Sequence, residues 1–91
     1  MTKNALWVKI DGQQVLPAFE DARGKLNGAE GEAVLDFSSV RRVDSAALSA
    51  LTGFAGAAES QGVKVVLHGV NADVYRVLKL VKLAPRFTFQ S

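Results

Sequence analysis

Short runs of apolar residues recur along the chain and indicate buried strands. Three such runs cover residues 5–10, 33–37 and 63–67, and each lies beside a turn-forming dipeptide or a glycine. Continuous apolar runs of this length are typical of strands buried within a parallel sheet. A fourth run at residues 87–89 is shorter and predicts a terminal strand.

The segments between these runs place their apolar residues three and four positions apart, which predicts helices. The first helix is expected near residues 16–26, with Asn27 and Gly28 where a C-cap belongs. A second helix is expected from Ser45 to Ser60 with Asp44 as its N-cap, and Asn71 is expected to cap a third.

The alternation of strand and helix predicts an α/β fold for residues 1–91 as a single domain. We expect a mostly parallel central sheet of about four strands, with helices packed against it and right-handed crossovers between the strands.

Composition removes several functional classes. A chain of 91 residues, 48% of them hydrophobic, supports one modest core, so a multidomain enzyme is excluded. The chain has no cysteine and only one histidine, His68, so we expect neither a disulfide nor a metal site. No apolar stretch is long enough for a signal peptide or a membrane span, and we expect a cytoplasmic protein without direct membrane insertion.

Charge and motifs give no sign of catalysis or of nucleic-acid binding. The net charge is only +2, and Trp7, Tyr75 and the five phenylalanines are spaced like core residues rather than among the basic ones. Neither a GxGxxG pattern nor a Gly-Lys-Ser/Thr motif follows a strand. His68 has no nucleophile paired with it in the sequence. We therefore expect no enzymatic activity and no cofactor.

The turn before the second helix is the most informative place in the chain. Ser45 would lie beside backbone N–H groups that lack an intrahelical partner, near the positive end of the helix dipole. Phosphorylation of Ser45 would add charge there, which those groups would accommodate and which Asp44 would oppose. The alternative is that Asp44 and Ser45 only cap the helix.

One side of the second helix carries small, uncharged residues. At 100° per residue this side contains Ser45, Ser49, Thr52, Gly53, Gly56 and Ser60. Each interior glycine costs about 1 kcal/mol relative to alanine, which suggests that something approaches the backbone closely. We hypothesise that a partner protein docks on this stripe, and the alternative is that a small helix face is merely tolerated.

Specific residues resemble the STAS family, which includes anti-sigma-factor antagonists. The resemblance is carried by residues 35–40, by Val43-Asp44-Ser45 and by Leu48. It implies that Ser45 is the residue that a partner kinase phosphorylates, with Asp44 beside it. Ala46 and Ala47 depart from the second hydroxyl residue and the glycine that usually follow in that family.

One branch of the family is more similar. Residues 66–75, followed by Lys79-Leu80, resemble the small STAS subunit of Mla-type phospholipid-trafficking ABC transporters. That resemblance implies a non-enzymatic cytoplasmic subunit that binds the transporter ATPase at the inner face of the membrane. Lys9 and Asp11 belong to the first loop, where the family often has Gly-Glu-Leu-Asp, and the charge of Lys9 would influence the choice of partner.

Two functions follow from the resemblance. The first is an accessory subunit that binds the ATPase of a phospholipid-transport ABC transporter. The alternative is an anti-sigma-factor antagonist that binds a serine kinase and is released by phosphorylation of Ser45. An unpaired edge strand would also permit a homodimer. The expected partner-binding residues are Lys9, Asp11, Asp44, Ser45, Ser49, Thr52, Gly53 and Gly56.

Overall fold

The computed structural model describes residues 6–26 and 31–90, and the strand and helix order agrees with the predicted alternation. In chain order the elements are β1 (Leu6–Lys9), α1 (Val15–Leu26), β2 (Glu32–Asp36), α2 (Ser45–Ser60), β3 (Lys64–His68), α3 (Ala72–Leu80), a short 3₁₀ helix (Ala84–Arg86) and β4 (Thr88–Gln90). The predicted C-cap at Asn27 and Gly28 lies outside the described residues.

The four strands form one parallel sheet in the order β1-β2-β3-β4. Each crossover helix connects a strand to its immediate neighbour, and all three connections advance across the sheet in the same direction. Because crossovers in parallel sheets share one hand, such a progression places every helix on the same face of the sheet. Buried residues of α1, α2 and α3 accordingly join a single cluster with those of the strands.

The core lies between the three helices and that face. Its centre contains Phe19, Phe37 and Phe54, with ring centroids of Phe19 and Phe37 6.0 Å apart and those of Phe19 and Phe54 6.3 Å apart. Phe37 and Phe54 are fully buried. Edge-to-face and tilted arrangements at this separation add to the free energy of burial.

The opposite face of the sheet has no helix over it within the described residues. Side chains alternate along a strand, so Val8 enters the core while Trp7 points to this second face. The prediction that Trp7 is a core residue is therefore wrong, and its side chain is 56% exposed. Trp7 and His68 contact each other with ring centroids 5.3 Å apart, although β2 separates their strands.

Tyr75, also expected in the core, is exposed, and so are the apolar residues Leu16 and Val81. Tyr75 is 41% exposed because Val74 and Leu78 occupy the inward side of α3. Leu16 lies in the first turn of α1 and is exposed, and Val81 is the C-cap of α3, where the inward stripe has ended. No helix in the described part of the chain is long and apolar enough to cross a membrane.

Candidate functional site

Two loops meet at the carboxyl end of the sheet, one after β1 and one after β2. A Cβ atom at Gly12 would overlap the carbonyl oxygen of Ser39, so only glycine permits this approach. The Ser39 hydroxyl donates a hydrogen bond to the Ile10 carbonyl at 3.0 Å. These contacts hold the two loops together, one through close backbone approach and one through the Ser39 side chain.

Asn71 fixes the second loop from the other side. Its amide nitrogen donates hydrogen bonds to the carbonyl oxygens of Val40 and Arg41, at 3.3 and 3.2 Å. Its side-chain oxygen accepts the N–H of Val74 at 2.8 Å and caps α3. One amide therefore ties the start of α3 to the loop that leads into α2.

The start of α2 is capped by Asp44, as predicted. The Asp44 carboxylate accepts the N–H of Ala47 at 2.8 Å, and Asp44 itself is extended with φ of −99°. Ser45 is the first helical residue and is exposed. Its hydroxyl has no hydrogen-bond partner among the described residues, so capping by Asp44 leaves it accessible.

Two adjoining clefts open beside this helix start. Their volumes are about 500 and about 680 Å³, and both are lined by Gly12, Gln13 and Arg42. Asp44 lines the first cleft and Asp11 the second. The structure thus brings Asp11 and Asp44, both expected partner-binding residues, to the same end of the sheet.

Arg41 and Arg42 are the charged residues of these clefts that the sequence reasoning did not assign to the site. Arg41 lines the second cleft, and Arg42 lines both. Both side chains are exposed, and neither forms an ion pair with any residue in the described ranges. The available signal in the sequence was two adjacent cations, Arg41 and Arg42, separated from the Asp44 cap by one residue.

The small-residue stripe lies along the exposed side of α2. Ser49, Thr52 and Gly56 are exposed, and the Thr52 hydroxyl donates to the Leu48 carbonyl at 2.8 Å. Gly53 is half-buried, and a Cβ atom added there would lie 3.6 Å from a guanidinium nitrogen of Arg23 on α1. At Gly56 an added Cβ would meet nothing within 4 Å, so no contact within the described chain requires glycine.

Lys9 does not join this site. It alternates with Val8 and points to the second face of the sheet, beside Asp36 in the neighbouring strand. The pKa of Asp36 is lowered mainly because its carboxylate accepts the backbone N–H of Ser38 at 2.9 Å, with smaller contributions from His68 and Lys9. Lys9 therefore belongs to a row of polar residues on the second face of the sheet.

The described side chains offer no metal-binding cluster. No group of three or more His, Cys, Asp or Glu residues is close enough within residues 6–26 and 31–90 to hold a metal ion. The site consists of hydroxyls, glycines, arginines and two carboxylates that cap turns, a set suited to binding another surface.

Comparisons of the sequence with known proteins agree on one family. Residues 5–85 match the family model described as Mlab, STAS domain. The intermembrane phospholipid transport system binding protein MlaB of Escherichia coli (strain K12) is 35% identical over 79 residues, which is 87% of this chain and 78% of that protein. The protein of the same description from Shigella flexneri matches equally.

Solved structures show the same fold. The STAS domain of a SulP transporter from Vibrio cholerae gives a TM-score of 0.82 at 18% identity, and the match covers all of this chain and 76% of that one. A putative anti-sigma factor antagonist from Thermotoga maritima gives 0.69 at 22% identity with the same coverage.

Proposed function

This chain belongs to the STAS domain family matched by the Mlab model, and from that premise we propose that it is an accessory subunit of a phospholipid-transport ABC transporter. In this role it binds the cytoplasmic ATPase subunit and catalyses no reaction itself. The similarity to the MlaB proteins, which are phospholipid transport system binding proteins, supports the choice of transport system.

The observation that carries the proposal is the exposed stripe of α2. Ser49, Thr52 and Gly56 present no charge and little bulk. Gly56 has open space around it, so the cost of an interior helical glycine is not offset by any contact within the described chain. A partner backbone or helix lying against Gly56 would offset it.

The clefts at the start of α2 add an orienting charge. Arg41 and Arg42 lie at one end of the stripe and Arg23 lies beside its middle at Gly53. Charges at the rim of an uncharged contact mainly set the partner's orientation and the association rate. We expect the ATPase surface to present acidic residues around a small apolar or neutral centre.

The test replaces Gly56 with arginine and measures affinity for the purified ATPase subunit by calorimetry. Because Gly56→Arg places a long charged side chain on the contact, affinity should fall at least about tenfold. The matched control is Gly24→Arg, the same change at an exposed helical glycine of α1 that also has open space. Unchanged affinity in a folded Gly56→Arg variant would contradict the proposed interface.

The alternative function is an anti-sigma-factor antagonist controlled at Ser45. The exposure of Ser45, and its free hydroxyl beside the Asp44 cap, favour modification by a kinase. Ser45→Asp should weaken binding to a serine kinase about tenfold while Ser45→Ala leaves it unchanged. Equal binding of both variants would remove the phosphorylation switch and would leave the transporter proposal unaffected.

A further inference from the structure

A second surface lies at the β4 edge of the sheet, away from the clefts and the α2 stripe. It is a groove of about 460 Å³ between α3, the 3₁₀ helix and β4. The groove is lined by Tyr75, Lys79, Lys82, Ala84, Pro85 and Phe89. None of these residues belongs to the site described above.

The floor of the groove is aromatic and its rim is cationic. The rings of Tyr75 and Phe89 meet nearly edge to face, with centroids 4.9 Å apart and an interplanar angle of 84°. The Lys79 ammonium lies 5.9 Å from the centre of the Tyr75 ring. Neither Lys79 nor Lys82 forms an ion pair with a residue in the described part of the chain.

Lys82 occupies a backbone position that favours glycine. Its φ is +64°, and α3 ends in a Schellman motif in which the Lys82 N–H donates to the Lys79 carbonyl and the Leu83 N–H to the Leu78 carbonyl. A side chain at such a position is strained. No acidic residue among those described pairs with Lys82, so no ion pair within the described chain accounts for a lysine at this position.

The adjacent strand has unpaired backbone groups. Among the described strands β4 pairs only with β3, and the Gln90 carbonyl accepts the Gly69 N–H on that side. Backbone groups of successive residues in a strand point to alternate sides, so the N–H and C=O of Phe89 point away from β3. An extended segment laid along β4 would find a donor and an acceptor there.

From these features we propose that the groove binds an extended, acidic segment of a partner protein. An apolar side chain of the segment lies on Tyr75 and Phe89, its backbone pairs with Phe89, and its carboxylates face Lys79 and Lys82. The charge of the two lysines selects an acidic segment. The inference does not depend on the proposed transporter role, because it concerns a different surface.

The test uses Lys82→Gly in the full chain. Glycine removes the ammonium group and relieves the backbone strain, so the variant should unfold at the same temperature as the parent or higher. Short peptides selected from a displayed random library against the parent should be rich in Asp and Glu around an apolar residue. Their affinity should fall about tenfold for Lys82→Gly. Lys64→Gln, which removes an equal charge from the opposite face of the sheet, should leave it unchanged.

Several results would overturn the proposal. The peptide selection would do so if it recovered no peptides or peptides not enriched in Asp and Glu. It would also do so if the recovered peptides bound Lys82→Gly as tightly as the parent. Another such result is sedimentation of the parent, but not of Lys82→Gly, with vesicles of phosphatidylcholine and phosphatidylglycerol, which would assign the groove to an anionic membrane surface. A mass that rises with concentration in light scattering for the parent alone would assign it to a second copy.

Discussion

A few residues fix the loops that carry the candidate site, and each acts through its backbone neighbours. Gly12 allows the first loop to contact the Ser39 carbonyl, and Asn71 holds the carbonyls of Val40 and Arg41. Neither residue carries charge. Their effect is to hold Arg41 and the following helix cap at Asp44 in a fixed place, which reduces the entropy lost when a partner binds.

Asp36 gives a prediction of pH dependence at the residue scale. The pKa of Asp36 is lowered from its ordinary value of 3.8, chiefly because the Ser38 N–H donates to its carboxylate. A lowered pKa in the folded state means that the charged form stabilises the fold above the ordinary value, and this contribution is lost as the pH falls through the folded pKa.

Asp36→Asn should therefore lower the free energy of unfolding by about 0.5–1.5 kcal/mol at neutral pH. The difference from the parent should shrink as the pH is lowered from ~5 to below the folded pKa. Urea unfolding over this pH range measures it. A difference that stays constant with pH would show that the charge of Asp36 contributes nothing.

At the scale of elements, α2 has a well-capped N-terminus but an interior that contains residues of low helix propensity. Its N-cap is satisfied by Asp44, and five of its residues are buried in the core, namely Ala47, Leu51, Phe54, Ala55 and Ala58. Two glycines, Gly53 and Gly56, interrupt its exposed side. Packing against the sheet thus maintains a helix whose outer side is poor in helix-forming residues.

Gly56→Ala should stabilise the protein by about 0.5–1 kcal/mol, because alanine favours a helix and its Cβ has open space. Thermal unfolding measures the change. Gly62→Ala provides the control of opposite sign, since Gly62 also has open space but adopts φ of +72° after the end of α2, and alanine there should destabilise. A destabilised Gly56→Ala variant would indicate an unrecognised backbone requirement at Gly56.

For the whole molecule, the one-sided sheet separates surfaces with different chemistry. One face and three helices enclose the core, while the opposite face carries Trp7 and a row containing Lys9, Asp36 and His68. The α2 stripe and the β4 groove lie in separate places on the helical side and share no residue. Two partners could therefore bind without competing for the same residues.

The strand order predicts a gradient of hydrogen-exchange protection. β2 and β3 have a paired strand on each side, whereas β1 and β4 are edges of the described sheet. Amides of β2 and β3 should exchange at least about tenfold more slowly than those of β4, because the edges open locally without global unfolding. Native-state exchange followed by NMR measures this. Equal protection of β3 and β4 would contradict the assigned order.

The sequence alone determined the order of the elements, the caps at Asp44 and Asn71, and the position of Ser45 at the start of α2. These features follow from hydrophobic spacing and capping chemistry that span only a few residues. The residues that carry the STAS resemblance lie in these same segments, and the family assignment is confirmed.

Only the tertiary structure decided which surfaces are exposed and which loops meet. Alternation places Trp7 and Val8 on opposite faces of β1, but the shared hand of three crossovers decides which face the helices cover. The contact of Gly12 with Ser39 joins loops far apart in the chain. Such contacts depend on packing between distant segments, which no local pattern encodes.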